Sequence, residues 1–197
     1  MLIIGTGGLG KEILGILIED NFPDEIAFYD ENPDGPEKLF DTYKVLISVN
    51  SLKKYFSKGD KRFITGIGHP RLREKLTLKI ESFGGILTSV ISKRTSIFHY
   101  NEEYSGVIIQ PGVGISHNVS IGTGSAIHIN STIGHSTILG KYVNIGPNVS
   151  VIGPVEIGDY SYISAQSVVK PNIRIGKNAV VSVGKIVEND LADFETL

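Results

Sequence analysis

From Ile109 to Val187 every sixth residue is aliphatic: Ile109, Ile115, Ile121, Ile127, Ile133, Leu139, Ile145, Val151, Ile157, Ile163, Val169, Ile175, Val181 and Val187. An α-helix repeats about every 3.6 residues and a two-faced strand about every two, so neither carries a period of six. That period belongs to the parallel β-helices. Short flat strands are joined by tight corners, and each strand sends one large aliphatic into a prism. Three hexads close one triangular coil of eighteen residues. The fourteen hexads therefore make between four and five coils, each about 4.8 Å high at strand spacing. A meander of ordinary short strands is the alternative, but its turns would not hold one period for so long.

The position two before each aliphatic is mostly small or β-branched: Val113, Val119, Ser125, Ser131, Thr137, Val143, Val149, Val155, Ser161 and Ser167. Such residues fit a narrow corner beside the buried aliphatic. Glycine often follows the aliphatic, at Gly122, Gly134, Gly140, Gly146, Gly158 and Gly176. The expectation is that these glycines supply the positive φ that corners need.

The first 85 residues read differently. Leu2-Ile3-Ile4 runs into Gly5-Thr6-Gly7-Gly8-Leu9-Gly10, and a helical stretch follows with Ile13, Leu14, Leu17 and Ile18 on one face. Ile26–Tyr29, Val45–Ile47 and Phe63–Thr65 are the next predicted strands. A helix is predicted from Pro70, a favourable first-turn residue, carrying Leu72, Leu76 and Ile80. Alternating strands and helices predict a small, Rossmann-like parallel α/β sheet over 1–85, ahead of a β-helix domain over 86–197. Residues 82–108 connect the parts. Ile97 is in register with Ile109 and begins a first, irregular coil, while Glu103 breaks the phase between them.

Strand, G-x-G-x-x-G and helix N-terminus together form a phosphate-cradling pattern. Asp30, about twenty residues on at a strand end, is where a ribose-binding acid belongs. Gly66 and Gly68 end the fourth strand on the same rim, where ligands sit in open α/β sheets. The segment is too short for the second half of a dinucleotide fold, so a mononucleotide or sugar nucleotide fits better than NAD. A tight turn that binds nothing is the plainer reading of the loop.

Lys plus Arg is 19 and Asp plus Glu is 21, a formal net charge of −2 with no basic stripe. Nucleic acid is therefore not an expected partner. There is no signal-peptide pattern and no apolar run near membrane-spanning length, so a cytoplasmic protein is expected. The absence of Cys excludes disulfides, Cys-liganded zinc and a cysteine acyl-enzyme.

Five histidines remain: His69, His99, His117, His128 and His135. His117 and His135 are eighteen apart, which stacks them on one edge of the prism, one coil apart. Two residues after Ile133, His135 is expected to point outward. An exposed imidazole is an ordinary surface residue, and also the natural general base at neutral pH.

The stretch Asn130-Ser-Thr-Ile-Gly-His135-Ser-Thr-Ile-Leu-Gly140 resembles the catalytic coil of the bacterial sugar acetyltransferases with a left-handed β-helix. These include sialic acid O-acetyltransferases and N-acetyltransferases of nucleotide-linked 4-amino sugars. The resemblance extends over the glycine loop, the Gly66-Ile-Gly-His-Pro-Arg-Leu-Arg73 segment and the hexads. It implies a homotrimer with acetyl-CoA as co-substrate in the groove between subunits. It implies His135 as the base that deprotonates the acceptor amine or hydroxyl. Gly5, Gly7, Gly8, Asp30 and Gly66 would lie at the sugar nucleotide, and Gly153, Ala165 and Gly184 along the CoA path. No metal is implied. Gly153 lies eighteen beyond His135, so the coil arithmetic independently places it beside the base.

Three positions depart from the family pattern. The residue after the histidine is often acidic there and is Ser136 here, a second family histidine corresponds to Asn144, and a C-terminal Gly-x-Pro-Ala-Lys tail is missing. Two other readings of the residues stay open. One is a sugar-nucleotide-binding scaffold that lost catalysis. The other is a metal hydratase of the carbonic anhydrase kind, which needs three imidazoles converging on zinc.

Overall fold

The computed structural model describes residues 1–98 and 104–197; His99 and Glu103, both singled out in the sequence, lie outside the described residues. The chain divides into two compact units, Met1–Val90 and Ile91–Leu197.

The first unit is an α/β layer. Its elements are β1 (Leu2–Ile4), α1 (Gly8–Glu19), β2 (Ala27–Tyr29), β3 (Lys38–Leu39), β4 (Tyr43–Leu46), α2 (Val49–Phe56), β5 (Arg62–Thr65), α3 (Pro70–Glu81) and β6 (Ile86–Leu87). The sheet order is β3-β4-β2-β1-β5-β6. All neighbours are parallel except the β3–β4 pair. Residues 86–90 belong to this unit, because Ile86–Leu87 extends its sheet beside β5. The core gathers Leu2, Ile4, Ala27, Tyr29, Leu46, Leu52, Phe56, Phe63 and Ile80.

Several expectations for this unit need correction. In α1, Ile16 is buried while Ile18 is exposed, because the apolar stripe turns toward the sheet through Leu9, Ile13, Leu14, Ile16 and Leu17. In α3 the inward face is Pro70, Arg73, Thr77 and Ile80, and Leu72 is exposed. A buried arginine there is satisfied by carbonyls, described below. Ile47 lies outside its predicted strand and is exposed. Helix α2, opened by a capping box at Ser48 and Ser51, and the short β3 and β6 carry too little periodicity to stand out in sequence.

The second unit is a prism of three parallel sheets. On one face the register runs Ile97, Ile115, Ile133, Val151, Val169, Val187. On the next it runs Ile121, Leu139, Ile157, Ile175, and on the third Ile109, Ile127, Ile145, Ile163, Val181. Every paired step is eighteen residues, as the hexads require, but the prism opens one hexad before Ile97, at Ile91, whose strand Val90–Ile91 lies beside Ile108–Ile109. These aliphatics and Val107, Val113, Val119, Val143, Val149 and Val155 form one continuous core. The companion serines are buried too, and each serves the backbone. Ser131 Oγ donates to the Gly146 carbonyl (2.7 Å) and accepts from the Val149 amide (3.1 Å). Ser125 does the same with Gly140 and Val143, at 3.0 Å each.

The glycines that follow the aliphatics do not supply positive φ. That conformation falls two residues later, on Asn118, Asn130, Ser136, Tyr142, Asn148, Tyr160, Gln166, Asn172 and Asn178, and on Gly112, Gly124 and Gly184. The glycines answer a different need, the approach of one coil to the next. A Cβ on Gly122 would stand 2.4 Å from the Gly140 carbonyl carbon, and one on Gly134 would stand 2.3 Å from the Gly153 nitrogen. At position 154 the left-handed residue is replaced by Pro154, whose ring forbids positive φ and whose bond to Gly153 is cis.

Candidate functional site

Two places carry chemistry, one in each unit. In the first unit, β1 ends at Gly5, whose φ of +97° turns the chain into α1. Gly10 packs on that turn: a Cβ there would stand 2.2 Å from the Gly5 carbonyl oxygen. Gly66, just past β5, closes on the same helix, its own Cβ position being 2.6 Å from Gly10 Cα. Gly7 and Gly8 are exposed with open space where a side chain would be. Gly7 is the N-cap of α1 and no side chain caps the helix, which leaves its first amides facing outward for an anion.

Asp30 lies directly after β2, where the sequence puts it, and its carboxylate reaches back to the loop. Oδ2 accepts from the Thr6 amide (3.0 Å) and the Thr6 hydroxyl (2.6 Å), and Oδ1 from the Asn32 amide (3.1 Å). Burial alone would raise its pKa, but the Thr6 and Asn32 hydrogen bonds prevail and hold it below the usual carboxylate range. A cavity of about 150 Å³ opens here, lined by Gly5, Tyr29, Asp30, Glu31, Asn32 and Ile67 among others. Sequence reasoning missed two supports of this rim. Thr6 ties the glycine loop to Asp30. Arg73, fully buried, donates from Nη1 to the carbonyls of Ile67 (2.8 Å) and Gly68 (3.0 Å). The signal for Arg73 was its place one turn into α3, in line with Thr77 and Ile80.

In the second unit, His135 is exposed at a prism corner. Its ring stacks on that of His117, with centroids 5.5 Å apart and planes within 13°. Gly153 follows one coil later, packed so closely that a Cβ would fall on the His135 carbonyl oxygen. His135 and Gly153 line one groove of about 440 Å³ with Thr132, Gly134, Val151 and Ile152. Ala165 and Gly184 are joined to each other, the Gly184 amide donating to the Ala165 carbonyl at 3.0 Å, but they stand on a different edge of the prism from Gly153. One chain therefore brings His135 and Gly153 together and does not bring Ala165 and Gly184 to them.

Some corner amides are taken up by side chains and others are not. Those of Lys141 and Lys177 donate to the side chains of Asp159 (2.9 Å) and Asp193 (2.8 Å), and that of Ile129 donates to Gln110 (2.9 Å). At the same corner position the Gly153 amide meets no acceptor among the described residues, and neither do those of Thr123, His135, Ala165 and Val183. Asn144 is buried within reach of His128 (Nε2 to Oδ1, 3.4 Å), and its Nδ2 has no partner among the described residues. Among the described residues, no three His, Cys, Asp or Glu side chains gather as a metal site would require, and no helix is long and apolar enough to cross a membrane.

Comparison with known proteins agrees with this division. Residues 1–80 match the PglD N-terminal domain, and residues 136–171 match the bacterial transferase hexapeptide, six repeats. GDP-perosamine N-acetyltransferase of Escherichia coli O157:H7 is 29% identical over 176 residues, spanning 87% of this chain and 78% of the relative. Among solved structures, a variant of perosamine N-acetyltransferase from Caulobacter crescentus, in complex with CoA and GDP-perosamine, superposes with a TM-score of 0.92. It is 26% identical, over 99% of this chain and 91% of that one. WeeI from Acinetobacter baumannii AYE superposes with a TM-score of 0.89 at 28% identity, over 99% and 94%. The chain thus carries a PglD-type N-terminal domain ahead of bacterial transferase hexapeptide repeats, and over most of its length it is similar to sugar N-acetyltransferases of that build.

Proposed function

We propose that this protein transfers the acetyl group of acetyl-CoA to an amino group of a nucleotide-linked sugar, working as a trimer of left-handed prisms. The observation that carries the reading is the groove that holds an exposed imidazole, His135, directly beside the unspent amide of Gly153. The relatives named for GDP-perosamine favour an amine over a hydroxyl acceptor.

The proposed chemistry follows from that pair. The acceptor nitrogen attacks the thioester carbonyl, forming the C–N bond and a tetrahedral oxyanion. Nε2 of His135 takes the proton from the nitrogen as it becomes positive, and the Gly153 N–H stabilises the oxyanion. Collapse of the intermediate breaks the C–S bond, and the imidazolium returns the proton to the departing CoA thiolate. In the α/β unit, the uncapped start of α1 at Gly7 and Gly8 would hold the phosphates, with Gly5, Asp30 and Gly66 forming the rim. Acetyl-CoA would lie along the prism past Gly153 of one subunit and Ala165 and Gly184 of its neighbour. That arrangement accounts for their separate edges within one chain. The exposed aliphatics Ile138, Ile152 and Ile186 support a subunit interface on the prism faces.

The test is release of free thiol from acetyl-CoA against a panel of nucleotide-linked 4-amino sugars and sialic acid. Thiol release with an amino sugar and none with sialic acid is expected. Release with sialic acid alone would make the enzyme an O-acetyltransferase. Nucleotide binding with no thiol release from any acceptor would support the lapsed scaffold.

A further inference from the structure

A general base works only if its imidazole is held in one orientation and one tautomer. No carboxylate follows His135; Ser136 does, and its Oγ stands 3.5 Å from His135 Nδ1. That is too long for a firm hydrogen bond. We infer that the preceding coil takes over this task, with His117 and Asn118 as positioning residues for His135. The inference rests on the reading of His135 as the base.

Two contacts carry it. The His117 and His135 rings lie almost parallel at 5.5 Å, inside the range of favourable aromatic stacking. His117 in turn meets the Phe98 ring edge-on, with centroids 6.1 Å apart and planes at 62°. Swinging the His135 ring would break the first contact, and moving His117 to follow it would break the second. His117 is absent from the lining of the groove that His135 and Gly153 share, so it acts through the base and not on the reacting atoms.

The second contact is polar. Asn118 Nδ2 donates to Ser136 Oγ at 3.3 Å. Asn118 and Ser136 both have φ of 56°, the left-handed corner residues of successive coils, so the link follows from the repeat. That bond holds the Ser136 side chain in place beside the His135 ring. Nε2, which has no partner among the described residues, is left to accept a proton.

Kinetics with acetyl-CoA and a nucleotide-linked 4-amino sugar test the stack. His117→Ala should lower kcat by roughly three- to tenfold, the worth of one aromatic contact, with both KM values unchanged. His117→Phe, a flat ring that cannot titrate, should restore most of the loss, and His117→Tyr serves if the Phe variant does not fold. Equal loss in the aromatic variants, or a rise in KM with kcat intact, would overturn the inference. Nitrogen-15 NMR of the His135 ring tests the polar contact without any acceptor. Asn118→Ala should change the tautomer ratio of the ring, and an unchanged ratio would refute Asn118's part. Full activity in His135→Ala would instead show that the reading of the base itself had failed.

Discussion

If the glycines that follow the buried aliphatics are there for coil-to-coil approach, Gly122 and Gly184 must respond differently to the same substitutions. A Cβ on Gly122 would meet only backbone, the Gly140 carbonyl carbon at 2.4 Å, its oxygen at 2.5 Å and the Lys141 nitrogen at 2.6 Å. The coils cannot retreat without stretching the bond from the Gly122 amide to the Leu139 carbonyl, 2.8 Å long. Overpacking of this kind costs about 1–3 kcal/mol. Gly184 has open space at its Cβ position but a φ of +72°, so alanine there costs about 1–2 kcal/mol through backbone conformation alone. Asparagine tolerates that conformation, as Asn118, Asn130, Asn148, Asn172 and Asn178 show at equivalent corners. Urea unfolding of the Ala and Asn variants at both sites separates the two causes, and each kcal/mol should lower Tm by roughly 2–4 °C. Gly184→Asn is expected near wild-type stability, and Gly122→Asn at least as damaged as Gly122→Ala. A Gly122→Asn variant that regains the lost stability would refute the steric argument.

Other substitutions probe the remaining claims. Ser131→Ala strands the Gly146 carbonyl and the Val149 amide inside the prism, and should cost about 2–4 kcal/mol in denaturant unfolding. Asp60 is held well below the usual carboxylate range, chiefly by its hydrogen bonds from Arg62. Its stabilisation is therefore complete above the unfolded pKa of about 4 and is lost as pH falls toward the folded value. Asp60→Asn should lower stability at neutral pH and flatten the fall in Tm below about pH 4. Asp30→Ala removes the acceptor for Thr6 and should weaken nucleotide binding by calorimetry while leaving acetyl-CoA binding to the prism unchanged.

The prism was almost wholly legible because one rule, an inward aliphatic every six residues, is enforced by every coil on the next. The rule also placed His117 beneath His135 and Gly153 above it. It failed on the glycines, since a glycine's presence does not say whether φ or proximity demands it. In the α/β unit the strands leading to the glycine loop and Asp30 were legible from their apolar runs. Arg73 was not, because a charged residue on a helix is expected to face water until carbonyls such as those of Ile67 and Gly68 are seen to receive it. The bond of Asp30 to Thr6 was hidden for a similar reason: spacing locates an acid at a strand end but not the partner it turns toward. The two edges of the prism that hold Gly153 and the Ala165–Gly184 pair follow from counting sixes, yet their joint use depends on a second subunit.

The most direct measurement is the turnover of His135→Ala beside wild type, with thermal melts of both. Loss of a positioned base should slow acetyl transfer by about 10²–10⁴, with Tm and the KM for acetyl-CoA unchanged because the ring is exposed and stands clear of the core. Turnover within a few-fold of wild type would contradict the assignment of His135 as the base.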